Sequence, residues 1–109
     1  MFNIFYYNQS VKDDVEDFPP GIKKRYFNLT DRMIEHGPNL GEPHTKALGG
    51  GLFEIRAKGG EGIGRAFYCT VISRKIVVLH AFIKKSQKTP KNDLDIAKKR
   101  MKEVQNAWE

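Results

Sequence analysis

The sequence is poor in cysteine. Cys69 is the only one in 109 residues, which excludes an internal disulfide, and no Cys/His cluster has the spacing of a zinc site. A lone thiol fits a reducing, cytoplasmic setting, and within the β-rich run Ala66–Ile72 it reads as a small packed residue rather than a nucleophile. No apolar run approaches membrane-spanning length, so no membrane segment is expected. The opening MFNIFYY lacks the basic stretch and cleavage site of a secretion signal and reads as a first strand. Acidic residues are in deficit, 13 against 19 Lys and Arg, for a formal charge of +6 and a pI near 9.5. That excess favours an acidic partner such as nucleic acid, and it also suits a merely soluble basic domain. The length corresponds to a single domain, 1–109, with one modest core. There is no internal repeat, low-complexity segment or long linker.

The stretch that organises the chain is IVVLHAFIKKSQKTP, from Ile76 to Pro90. Val77, Leu79 and Ala81 alternate with Val78, His80 and Phe82 in a run rich in β-branched residues and short of helical length. This pattern predicts a central strand covered on both faces. At its exit Lys84, Lys85 and Lys88 stand among Ser86, Gln87 and Thr89. Amines and polar hydrogen-bonders at a rigid strand end suit a polyanion.

Elsewhere, Phe2–Tyr7 predicts a short aromatic strand, and Ser10 with Asp13 offers an N-cap for a helix from Val11 to about Phe18. Pro19 and Pro20 end that helix and start another, in which Ile22, Tyr26, Leu29, Met33 and Ile34 recur at helical spacing up to Gly37-Pro38. Asn39–Gly51, with Gly41, Pro43 and the run Gly49-Gly50-Gly51, reads as a connecting loop, and its glycines do not match a P-loop. Leu52–Lys58 predicts a second strand, with Phe53, Ile55 and Ala57 on the core face and Leu52, Glu54, Arg56 and Lys58 on a charged face. A glycine-rich hairpin loop, Lys58–Gly64, leads to a third strand, Arg65–Ile72, and a turn at Ser73–Lys75 to the fourth. Pro90 opens a last helix with Leu94, Ala97, Met101 and Val104 on one stripe, Ile96 at its edge, Trp108 near its end, and Lys98, Lys99, Arg100 and Lys102 opposite. The expected fold is α+β in β-α-α-β-β-β-α order, a helix hairpin packed on one face of a curved, mainly antiparallel sheet, with the other face or its edge left for a site.

Taken together, Leu48-Gly-Gly-Gly-Leu52-Phe53-Glu54-Ile55-Arg56, then Gly64-Arg65 opening a strand, then Leu79–Pro90 and an Ala97-containing helix resemble the RelE/ParE superfamily of type II toxin–antitoxin toxins, in particular its phage-derived, HigB-like branch. The resemblance covers roughly Leu40 to Gln105 and extends to the first third by element order. It implies a compact RelE-like ribonuclease domain that cleaves mRNA on translating ribosomes without metal or other cofactor. It also implies a co-expressed antitoxin, expected to be of helix-turn-helix type, and the ribosome and mRNA as partners. By position, Arg56 resembles the family's basic residue on the second strand, Arg65 the arginine opening the third, and Lys84 and Lys85 the basic residues ending the fourth. The chain departs from relatives in carrying Glu54 where a second lysine is frequent, and in lacking an evident match for a tyrosine after the fourth strand.

For attack of a ribose 2′-hydroxyl on the adjacent phosphate, Arg56 and Arg65 suit the phosphate clamp, because a guanidinium offers a bidentate fork and stays charged. Lys84 or Lys85, crowded by cations, has its neutral form favoured and suits proton transfer or plain phosphate binding. Accessory candidates are Glu54, either a general base or, the favoured role, the salt-bridge partner orienting Arg56; His80, either an acid or base or a structural hydrogen-bonder; and Lys88. Phe67 and Tyr68 are candidate base-stacking rings, one of them core by alternation. Lys98, Lys99 and Lys102 form either a ribosomal RNA contact or a solvated helix face. The alternatives are a ParE-like gyrase poison, which would not need the basic residues at the strand ends, and a non-catalytic phage-derived nucleic-acid-binding module.

Overall fold

The computed structural model describes residues 1–84 and 90–108. Its aromatic opening forms β1 (Asn3–Tyr6), followed by α1 (Gln9–Glu16) and α2 (Pro20–His36). The cap of α1 is Asn8 rather than Ser10: the Asn8 side-chain oxygen accepts from the Val11 N–H at 2.9 Å, and Ser10 lies inside the helix. Asparagine caps as well as serine, so the helix begins where the chain leaves β1. Pro20 supplies the first residue of α2, and Gly37, at φ 105°, ends it, a conformation that costs glycine little. Along α2, Ile22, Tyr26, Leu29 and Met33 are fully buried, each aliphatic side chain contributing about 1.5–3 kcal/mol.

The expected loop between α2 and the next strand contains a strand of its own, β2 (Thr45–Gly49), paired antiparallel to β3 (Leu52–Gly59). Gly50 and Gly51 at the turn have φ 64° and 91°, the twist that a two-residue hairpin requires. The glycines that suggested a loop therefore close a hairpin, and the element order is β-α-α-β-β-β-β-α. β4 (Gly62–Val71) and β5 (Lys75–Lys84) continue the meander, and α3 (Lys91–Ala107) follows. Among the described residues, three helices accompany one mixed sheet in the order β1-β5-β4-β3-β2, with β1 parallel to β5 and the other pairs antiparallel. The fold is α+β as expected, with one more strand.

Both faces of the sheet are covered. Ile55, Ala57, Ala66, Tyr68, Ile76, Val78 and Ala81 pack with the α1–α2 hairpin. Leu52, Phe67, Cys69, Val71, Val77 and Leu79 pack under Ala97 and Val104 of α3. Phe67 and Tyr68 are both fully buried, so neither ring is open to a base. Alternation assigned only one of them to a core, and α3 supplies a second core for the other. Cys69 is buried as expected, and desolvation pushes its thiol up to about 11. β5 carries a bulge: Phe67 pairs with His80 but Tyr68 with Val78, so Leu79 is the extra residue and lies on the α3 side while Ala81 lies on the α2 side. These two were expected on one face, and the inserted residue separates them.

The β3–β4 turn is locked to the start of α2. Glu61 accepts from the backbone N–H groups of Gly21 at 2.9 Å and Ile22 at 3.2 Å, two donors that the helix leaves unpaired. A Cβ on Gly59 would sit 2.6 Å from the Ile22 nitrogen and 2.7 Å from the Gly21 carbonyl carbon. Only glycine allows this approach. Gly59→Ala is expected to push α2 off the hairpin at a cost of about 1–3 kcal/mol, measured by urea unfolding; an unchanged midpoint would show that the helix end yields freely.

Candidate active site

α3 shields only part of its face of the sheet. At its N-terminal end the His80 Nε2 lies 2.6 Å from Asp93 Oδ1, and the His80 ring stacks on Phe82 at 5.6 Å. Beyond this pair, the same face is dominated by charged side chains, with Phe82 and Ile63 among them. Period two places Glu54 and Arg56 of β3 there, register sets Arg65 of β4 opposite Arg56 and Phe82 of β5 opposite Arg65, and Lys84 follows opposite Ile63. The Arg56 N–H is directed to the other neighbour, donating to the His44 carbonyl at 2.9 Å. Arg56 and Arg65 therefore form a non-hydrogen-bonded pair, the closer kind of cross-strand neighbour.

Two guanidiniums this close repel unless a carboxylate lies between them. Glu54 supplies it: one carboxylate oxygen lies 3.2 Å from Arg65 Nη1 and the other 3.7 Å from Arg56 Nε. Glu54 is 2% exposed and Arg65 4%, whereas the Arg56 side chain keeps 31% of its surface in solvent. Burial pushes the Arg65 pKa down, Glu54 opposes that shift, and Arg56 adds to it; an arginine nonetheless stays charged at neutral pH. Glu54 thus holds Arg65 in place while Arg56 presents its head to solvent.

The Lys84 amine is held below the ordinary lysine range, first by desolvation and then by the charges of Arg65 and Arg56, with Glu54 opposing and Lys46 adding to the effect. Lys46 belongs here because β2 pairs it with Glu54. Sequence alone conceals it, because its glycine- and proline-rich stretch reads as a loop, and the only signal is a lysine placed to pair across the glycine turn. The result is a cluster of Lys46, Arg56, Arg65 and Lys84 around one carboxylate. Such a cluster can receive a phosphate oxyanion with little reorganisation.

The remaining expected residues are placed as follows. His80 lies on the site's face, engaged with Asp93 and stacked on Phe82. Lys85 and Lys88 lie outside the described residues. Lys98, Lys99 and Lys102 are exposed along α3. Arg100 leaves that solvated row: its Nη1 donates to the Leu79 carbonyl at 2.8 Å and its guanidinium lies 4.6 Å from the Tyr7 ring centre. Among the described residues no group of three His, Cys, Asp or Glu side chains is placed to hold a metal ion, and no helix is long and apolar enough to cross a membrane.

No curated protein matches the sequence. The family model described as "Phage derived protein Gp49-like (DUF891)" matches residues 13–102, a span that runs from α1 through the whole charged cluster and most of α3. With its α+β layers and this cluster, the chain belongs to the Gp49-like family of phage-derived proteins, a family of the RelE-like toxin kind.

Proposed function

We propose that the protein is the toxin of a type II toxin–antitoxin pair, of the HigB-like branch, and that it acts in the cytoplasm as an endonuclease cutting mRNA on the translating ribosome. The observation that carries this reading is Arg65, buried and ion-paired to Glu54 beside Arg56 and Lys84 on the part of the sheet face that lies beyond the α3 core. A buried, pre-aimed guanidinium is a costly way to decorate a surface and a sound way to meet charge that develops on a phosphate. Family membership and the net charge of +6 agree with it. The cognate antitoxin, of helix-turn-helix type, would restrain the toxin.

In the proposed reaction the 2′-hydroxyl oxygen attacks the adjacent phosphorus and the bond to the 5′-oxygen breaks, leaving a 2′,3′-cyclic phosphate and a 5′-hydroxyl. Arg65 and Arg56 hold the non-bridging oxygens as their charge grows. The Lys84 amine, in its neutral form, takes the 2′-hydroxyl proton, and the departing 5′-oxygen takes its proton from solvent water. No metal or other cofactor enters the scheme.

Arg65→Ala is expected to slow cleavage on programmed ribosomes by about a hundredfold or more, because losing one donor to the transition state costs about 3 kcal/mol. Arg56 remains to pair with Glu54, and an unchanged circular dichroism spectrum verifies the fold; an active variant would remove Arg65 from the site. For Lys84, a pKa held low means that the neutral amine gains population at lower pH than in an ordinary lysine. Single-turnover cleavage should rise with pH and level off above that pKa. Lys84→Arg keeps the charge but cannot shed a proton near neutrality, so it should be slower by about tenfold or more and lose the rising limb. A wild-type profile in Lys84→Arg would leave only electrostatic clamping to this residue. Replacing Lys98, Lys99 and Lys102 together with Gln should weaken ribosome association in a salt-dependent manner and leave the cleaved position unchanged. Equal binding across a salt series would reduce those lysines to a solvated helix face.

A further inference from the structure

The charged cluster does not end at Arg56. That side chain also lines a cleft of about 270 Å³ with Arg25, Pro43, His44, Lys58 and Ile63. Arg25 and Lys58 in turn line a second cleft, of about 240 Å³, with Gly21, Lys24 and Asn28. The two hollows share walls and run from the site, over the outer edge of β3, onto the first turns of α2. Among the described residues no carboxylate lines either one; Glu61 is occupied with the Gly21 and Ile22 N–H groups, and Glu54 is shared between Arg56 and Arg65.

The edge is open there for a topological reason. β2 begins at Thr45, opposite Ile55, while β3 continues to Gly59. The Arg56 N–H meets the last backbone partner that edge has, the His44 carbonyl. By the period of the strand, the Lys58 N–H points the same way, into the trough. Arg25 Nη2 lies 3.5 Å from His44 Nδ1. The His44 ring is held below its ordinary pKa by burial and then by Arg25 and Arg32, as expected of a site rich in positive potential. The trough therefore combines two arginines, Arg25 beside His44 and Arg56 beside Glu54, with the exposed amines of Lys24 and Lys58, a backbone donor and the Asn28 amide.

We propose that this trough is a second subsite, which takes the backbone phosphates of the single-stranded RNA flanking the scissile bond. The proposal rests on the ribonuclease reading above. It extends that reading by making substrate length matter: Lys24, Arg25 and Lys58 hold nucleotides beyond the reacting pair, and Arg56 belongs to both subsites. A cationic groove that tracks a backbone grips single strands without regard to sequence.

The test uses oligoribonucleotides carrying 2′-O-methyl groups, which cannot undergo the attack: a short one confined to the reacting phosphate, and one extended by several nucleotides on both sides. Binding of the full chain is followed by fluorescence anisotropy across a salt series. The extended probe should bind the wild type more tightly than the short one. Arg25→Ala and Lys58→Ala should each remove about threefold to tenfold of that gain and lower the salt slope by about 1, with short-probe affinity kept and melting unchanged. Arg25→Lys should retain most of the gain. Equal affinity of the wild type for both probes, or wild-type behaviour in the two Ala variants, overturns the subsite and leaves the ribonuclease reading standing. Failure of the wild type to bind either probe overturns the subsite, and overturns the ribonuclease reading as well when the same protein also fails to cleave mRNA on programmed ribosomes. A wild type that binds polyglutamate more tightly than the extended RNA overturns the subsite in favour of an acidic protein segment.

Discussion

The buried carboxylate of Glu54 between two guanidiniums is the interaction on which the site depends. Arg56 and Arg65 are opposite one another in a closely spaced strand pair, where like charges destabilise a sheet. Glu54 turns that repulsion into an ion-paired triad. The desolvation of Glu54 and Arg65 is unfavourable and would not be repaid by the pair alone in a dry interior. Here the triad opens to solvent through Arg56, so the attraction is kept while part of the hydration is retained. Its consequence for function is rigidity: Arg65 has little freedom left to lose when an anion arrives.

The position of the triad follows from how the sheet is covered. The α1–α2 hairpin fills one face, and α3 fills the other only over Val71, Val77, Leu79 and their neighbours. The His80–Asp93 contact and the Phe82 ring form the boundary where this second core stops. On the near side of the boundary the strands are apolar on both faces. On the far side the same strands, with the same alternation, carry Glu54, Arg56, Arg65 and Lys84. One sheet thus serves as core and as charged candidate site, and the frame around that site belongs to the core.

Much of this was legible because period is a strong signal. The stripe on α2, the doubly covered β5 and the placing of Glu54 with Arg56 follow from spacing alone. What failed did so for local reasons. β2 has only Ala47 and Leu48 as apolar residues in a stretch crowded with glycine and proline, so composition concealed the strand, and Lys46 with it. Asn8 displaced Ser10 as a cap because either chemistry serves and only the path out of β1 chooses between them. The exposure expected of Phe67 or Tyr68 assumed one core, and the second core comes from α3, far along the chain. The trough at the β3 edge unites Lys24 and Arg25 with Arg56 and Lys58, an assembly that no linear pattern records.

The extra residue at Leu79 gives β5 two phases. From Ile76 to Val78 the even-numbered side chains face the α1–α2 hairpin, and from His80 onward the odd-numbered ones do. Lys84 therefore reaches the charged face by count rather than by composition. A strand of the same residues, one shorter before His80, would turn the lysine toward Phe18 and Ile22 and bring Ala81 and Ile83 to the surface. Substitutions along this strand alter packing one contact at a time, but a change of length exchanges its wet and dry sides at a stroke. In a lineage that drifts in sequence, the spacing from the β4–β5 turn to this lysine is thus constrained more tightly than the identities of the residues between them.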